Sequence, residues 1–142
     1  MRWASLVIVL VTAACGDDAV SDEDLIERFI EDVTGKVDDG YVSRALGYVD
    51  MAQYPLDVRV PHHGGVYPAE RAPEIIGQFK RAMRRHFYDT EIKLRSDAFE
   101  IHGDTAEVKL GLMTAVGPLG ASFTLRKAGE GTWKVSRVHV DR

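Results

Sequence analysis

The side chains able to do chemistry are few, and most gather in the middle of the chain. His62 and His63 are adjacent and are followed by Gly64 and Gly65. Two imidazoles at the mouth of a pocket can exchange protons near neutral pH, and glycines beside them let a ligand approach the backbone. The same run also reads as a surface turn with solvated histidines, or as a weak metal site. Adjacent histidines have no defined ligand spacing, and no Cys or Glu completes a known pattern, so no metal is expected. Tyr54 and Asp57 flank a short alternating segment. A carboxyl desolvated beside a phenol can serve as a general base, and a surface carboxylate on an edge strand is the plainer alternative. His86 falls at helical spacing inside an apolar arc, as a core histidine or as a pocket group. His102 and His139 read as solvated.

The run Lys80-Arg81-Ala82-Met83-Arg84-Arg85 is basic. Helical spacing puts its charges on a solvent face, where they can also meet anionic headgroups. No Gly-x-Ser-x-Gly elbow, phosphate loop, His-Glu-x-x-His helix or paired-cysteine motif occurs. Serine-triad hydrolysis, nucleotide use and zinc proteolysis lose their support, and no cofactor is expected. The 142 residues are 45% hydrophobic and 28% charged, with a formal net charge of −4. This is the length and composition of one globular domain. An acidic total excludes wholesale nucleic-acid binding, which needs a basic surface.

Met1-Arg2 is a short positive start, and Trp3 to Ala14 carries no charge. Twelve residues rise only ~18 Å as a helix against a hydrocarbon core of ~30 Å, so the segment has the form of a secretory signal rather than a permanent span. Residues 1–14 are assigned to that signal. Val11-Thr12-Ala13-Ala14-Cys15-Gly16-Asp17-Asp18 resembles the lipobox of bacterial lipoproteins, with Thr12 where leucine is commonest. The resemblance implies that Cys15 becomes the first mature residue and carries lipid, anchoring the chain to a membrane. Cleavage after Ala14 without lipid would leave Cys15, the one cysteine, as a free thiol. Residues 15–20 then form a short lipid-anchored tether, and the expected address is the cell envelope, facing the periplasm. Glycine rather than aspartate after the cysteine points to the outer membrane.

Residues 21–142 must position the candidate side chains. Ser21 begins a capping pattern, and Leu25, Ile26, Phe29, Ile30 and Val33 share one helical face. Asp38-Asp39-Gly40 opens a second helix with Val42, Ala45, Leu46 and Val49 on one stripe. Leu56 to Val60 alternates as a short strand, and Pro61 to Pro68 is a loop by composition. Pro73 fits the first turn of a third helix, whose apolar arc holds Ile75, Ile76, Phe79, Met83 and Phe87. Strands follow. A phase slip separates Ile92 and Leu94 from Phe99 and Ile101, Gly103-Asp104 is a tight turn, Gly117-Pro118 is a break, and Gly129 to Gly131 turns the chain again. Trp133 and Val135 then give way to Val138 and Val140 on the opposite parity, which means a bulge or a strand apolar on both faces. In the second case the outer sheet face offers a homodimer contact.

The predicted class is α+β: three N-terminal helices packed on a curved antiparallel four-stranded sheet plus a short strand. This order, ending in Gly131-Thr132-Trp133-Lys134-Val135-Ser136-Arg137-Val138-His139-Val140, resembles the nuclear transport factor 2-like superfamily, with its SnoaL-like members and cone-shaped, cystatin-like fold. The resemblance implies a pocket between helices and sheet. It implies no particular reaction, because the superfamily holds isomerases, cyclases, dimerisation domains and inert binding domains. No catalytic residue of those members aligns with this chain by motif. Two expectations follow: a lipoprotein that binds a small apolar ligand or a protein partner, or a cofactor-independent isomerase- or cyclase-like enzyme using Asp57, Tyr54 or His86.

Overall fold

The computed structural model describes residues 20–61 and 63–142. The signal segment, Cys15 and His62 lie outside the described residues. The elements are α1 (Asp22–Asp32), β1 (Gly35–Lys36), α2 (Asp39–Leu46), β2 (Leu56–Val60), β3 (His63–Tyr67), a 3₁₀ turn (Ala69–Arg71), α3 (Ala72–His86), β4 (Glu91–His102), β5 (Thr105–Thr114), β6 (Gly117–Gly129) and β7 (Thr132–Asp141). No helix among the described residues is long and apolar enough to cross a membrane.

The helices start where capping chemistry places them. The Ser21 hydroxyl accepts from the Asp24 amide at 3.1 Å, and three acids fill the first turn of α1, favoured by the positive end of the helix dipole. Asp38 caps α2 by accepting from the Tyr41 amide at 2.8 Å. Pro73 occupies the first turn of α3, and Arg84, Arg85 and His86 close it at the negative end. Side chains then tie the elements together. The Tyr41 hydroxyl donates to the Val33 carbonyl at 2.8 Å, satisfying a carbonyl at the end of α1. The Asp22 carboxylate receives the Trp133 indole N–H and the Lys127 ammonium, each at 3.1 Å. The start of α1 is thereby fixed beside the β6–β7 turn.

The sheet has seven strands, not four plus one, in the order β1-β4-β5-β6-β7-β2-β3. Every pairing is antiparallel except β2 against β7, which is parallel. The extra strands are β1, only two residues long, and β3. The segment expected to be a loop pairs with β2 from His63 against Val60 to Tyr67 against Leu56. Its glycines suit an edge, where the backbone passes close to a neighbour: a Cβ on Gly64 would stand 3.1 Å from the Val58 carbonyl oxygen. The turn expected at Gly117-Pro118 lies two residues earlier, at Ala115-Val116, and Pro118 sits inside β6 opposite Met113. There the Thr114 hydroxyl holds the turn by donating to the Gly117 carbonyl and accepting from the Val116 amide.

Of three register irregularities in the sheet, two match changes of phase along the sequence. One falls between Leu94 and Ser96 of β4, where the phase slip was read. The other sets Thr124 against Arg137 and Leu125 against Val135, leaving Ser136 as the extra residue. That bulge answers the parity question. Val135, Val138 and Val140 all face the helices, so β7 is not apolar on both faces, and the strand that motivated a homodimer contact has no apolar outer row. The core is Ile26, Phe29 and Ile30 of α1 against Ala106, Val108, Leu125, Trp133 and Val135, each at most 4% exposed. Residues 22–141 supply every residue of this core, the condition for a unit that folds on its own.

Candidate functional site

The same sheet face has two halves. At the Ala106, Val108 and Leu125 end it is covered by α1 and sealed, and Phe29 and Val135 stand at the inner end of the cavity. Towards Leu119, Val140 and Val60 the inward-facing residues become half-buried, because a cavity separates them from α3. On α3 only Ile75 is buried, while Ile76, Phe79 and Met83, with Phe87 just past the helix end, line the cavity and are only partly buried. The cavity holds about 430 Å³ and is open to solvent. That lies within the range of small-molecule sites, roughly 300–1,000 Å³.

Its wall is almost wholly apolar. Val49 of the α2–β2 connection, Leu56, Val58 and Val60 of β2, Leu112 of β5, Leu119, Ala121 and Phe123 of β6, and Val138 and Val140 of β7 form the floor and one side. Strand alternation explains the strand residues of this set, since each points to the helix side of its strand. Among the described residues the polar liners are Tyr41, His63, Gln78 and Thr114, and none is acidic, Lys or Arg. Two of the four are already engaged: Thr114 holds its turn and Tyr41 donates to Val33. Burial pushes the Tyr41 phenol up to about 12, with Arg44 pulling slightly the other way. His63 is the exposed liner. Its Nε2 lies 2.9 Å from the hydroxyl of Tyr67, which is 2% exposed.

The predicted site residues divide. His63 reaches the cavity. His62, its neighbour, lies outside the described residues. Tyr54, Asp57 and His86 do not reach it. The Tyr54 hydroxyl donates to the Lys127 carbonyl at 2.9 Å, so this phenol braces the β6–β7 hairpin. Asp57 sits on the outward phase of β2, between Arg59 at 3.3 Å and Arg137 at 3.2 Å. The parallel register places Asp57 directly against Arg137. His86 has the expected helical angle, but it is the last residue of α3 and is exposed, its ring edge-on to Phe87. A helical angle sets a direction and does not supply a neighbour in that direction. Tyr67 and Gln78 escaped the sequence reading. The signal for Tyr67 was present, since His63, Gly65 and Tyr67 alternate on one strand phase, but two glycines masked it as a loop. Among the described residues no three potential metal ligands come together.

The mouth lies far from where the chain enters the domain. Asp22 is fixed at the Trp133 end of β7, and the half-buried liners cluster at its Val140 end. Seven residues of strand separate the two ends, about 23 Å at the usual rise.

Solved structures share this architecture. A protein provisionally named a ketosteroid isomerase, from Shewanella frigidimarina, superposes with a TM-score of 0.61 at 13% identity, over 83% of this chain and 92% of that one. A nuclear transport factor 2-like protein of unknown function from Shewanella baltica gives 0.58 at 16% identity, over 86% and 96%. The fold is nuclear transport factor 2-like. No family model and no curated protein matches the chain. A designed protein with a curved β-sheet gives a TM-score of 0.60 at 14% identity, over 86% of this chain and all of its own. Likeness at this level of identity carries the fold alone, and function must be argued from the site.

Proposed function

We propose that this domain binds a small apolar ligand in the cavity between α3 and the sheet, at the cell envelope, without turning it over. One observation carries the reading: Val60, Leu119, Phe123, Val138 and Val140 of the sheet and Ile76, Phe79 and Met83 of α3 face the cavity and stay only partly buried. Apolar surface in water costs about 25 cal/mol per Å², so an occupant that covers these side chains is favoured. Lipid on Cys15 would hold the domain at a membrane with its mouth at the end away from the tether. Native mass spectrometry of residues 21–142, secreted without lipid and purified gently, tests the binding. A co-purifying small molecule supports it, and a bare mass that gains no added apolar ligand sinks it. Cys15→Ala should move the full chain from the membrane fraction to the soluble one, and retention in the membrane fraction would refute the anchor.

A second reading is a cofactor-independent isomerase- or cyclase-like enzyme. Its support is His63, an imidazole at the edge of an apolar cavity and within reach of a phenol, the type of group used for proton transfer. With no carboxylate among the described liners, such a reaction would run through His63. Turnover of a bound molecule that His63→Ala abolishes would replace the first reading.

A further inference from the structure

We infer that the occupant is a single-chain amphiphile with an anionic head, such as a fatty carboxylate of about ten to fourteen carbons, and that His63, oriented by Tyr67, holds the head at the mouth. This rests on the reading of the cavity as a ligand site. Three observations select the ligand. The first is volume. At roughly 30 Å³ for each water-sized group, 430 Å³ accommodates about fourteen methylenes. The second is the distribution of polarity. Among the described residues the wall is apolar everywhere except at His63 and Gln78, once Tyr41 and Thr114 are set aside as already engaged. A long chain with one polar end matches that wall, and a molecule with several polar groups does not, because each would be buried without a partner.

The third is charge. The protein is acidic overall, yet the helix that walls the cavity carries Lys80, Arg81, Arg84 and Arg85, all exposed. At ~100° per residue, Lys80 and Arg85 flank the lining arc on its two sides. The Arg71 guanidinium stands 4.5 Å from the centroid of the Tyr67 ring and is ion-paired with Glu74. Glu70 and Glu74 are the acids of this corner, so the basic surplus lies along α3. Tyr67 has His63 as its hydrogen-bond partner among the described residues. When the Tyr67 hydroxyl donates to Nε2, the neutral ring carries its proton on Nδ1 and offers a donor to an anionic oxygen. Tyr67 is then a positioning residue, and His63 is the contact.

The test is calorimetric titration of residues 21–142 with dodecanoate and dodecyltrimethylammonium below their micelle concentrations and dodecan-1-ol below its solubility limit. Dodecanoate should bind at least several-fold more tightly than the alcohol and more tightly still than the cation, and only its affinity should fall steeply with salt. In the series from octanoate upward, affinity should rise about three- to fourfold per methylene and level off near fourteen carbons. His63→Ala and the better-tolerated His63→Gln should each cut the dodecanoate-to-dodecanol ratio about three- to tenfold. Tyr67→Phe should reduce that ratio with the alcohol affinity unchanged, which a purely structural defect would not do. If all three probes bind equally, or if neither His63 variant changes the ratio, the inference is overturned while the cavity remains a ligand site. If none of the three binds, the ligand-binding reading itself falls.

Discussion

Two helices lie on one face of one sheet, and they are treated oppositely. Helix α1 buries Ile26, Phe29 and Ile30 against the sheet. Phe29 meets Tyr48 and Phe123 edge to face, with ring centroids 4.9 and 5.1 Å away. Helix α3 has an equally clear apolar face and buries only Ile75. The remainder of that face stands off the sheet across the cavity. Amphipathicity therefore states which way a helix looks. It does not state whether the space in front is filled by the chain or left for something else.

The largest expected effect separates the halves directly. Phe29→Ala removes a ring that is 1% exposed and leaves a void, at about 3–5 kcal/mol. Phe79→Ala removes a ring that already faces open space, so only a fraction of the transfer term is lost, about 1 kcal/mol or less. Thermal unfolding should show a fall of more than ten degrees for the first and a few degrees for the second. Apolar-ligand affinity should follow the reverse order. Equal losses of stability would mean that the cavity is closed in solution.

Filling should distinguish the halves by sign. Ala106 is fully buried in the closed half, and Ala106→Leu overpacks it, costing about 1–3 kcal/mol. Ala82 lines the open half, and Ala82→Leu covers apolar wall, adding about 0.5–1 kcal/mol while weakening ligand binding. Chemical denaturation of both variants, without ligand, checks this. A destabilising Ala82→Leu would show that the open half is already packed.

Tyr41 sits at the junction of the halves and supplies a pH test. Its folded pKa, about 12, lies above its ordinary value of about 10, so the folded state holds the phenol proton more tightly. The associated stability is fully present below pH 10 and is lost as pH rises towards 12, about 2–3 kcal/mol in all. Tyr41→Phe should flatten the fall of unfolding free energy between pH 10 and 12. It should not abolish it, because Tyr48 is raised too, by burial and by the Asp32 carboxylate to which its hydroxyl donates. An unchanged slope in Tyr41→Phe would show that the phenol is solvated.

What could be read from the chain follows the same division. Local chemistry was legible: the caps at Ser21 and Asp38, the start at Pro73, the turns at Gly103 and Gly131, and the bulge announced by the shift from Val135 to Val138. Each depends on residues a few positions apart. Strand β3 was not legible, because Gly64 and Gly65 lower strand propensity and only the β2 edge, brought there by the fold, makes pairing worthwhile. The turn at Ala115-Val116 was hidden by the stronger signal of Gly117-Pro118. The cavity was not legible from periodicity, since a face that lines a void and a face that packs have the same period. Of the candidate residues, His63 lies on the cavity wall, whereas Tyr54, Asp57 and His86 lie off it, because their surroundings are set by distant segments.

Asp57 is the smallest and most pointed case. A desolvated carboxylate beside a pocket would be a general base, and its loss would be felt in function. Here its side chain is 16% exposed and bridges Arg59 and Arg137, whose own side chains are more than half exposed. Exposed pairs of this kind contribute about 0.2–1 kcal/mol, because both arginines return to water when the partner is removed. Asp57→Asn should therefore lower stability by less than about 1 kcal/mol and leave dodecanoate affinity within twofold of the parent. Since Asp57 alternates with Leu56 and Val58, its silence would also show that β2 presents its apolar phase, and only that phase, to the cavity. A loss of binding in Asp57→Asn with unchanged stability would mean that the outward phase of β2 belongs to the site, and that the boundary between the two halves is drawn in the wrong place.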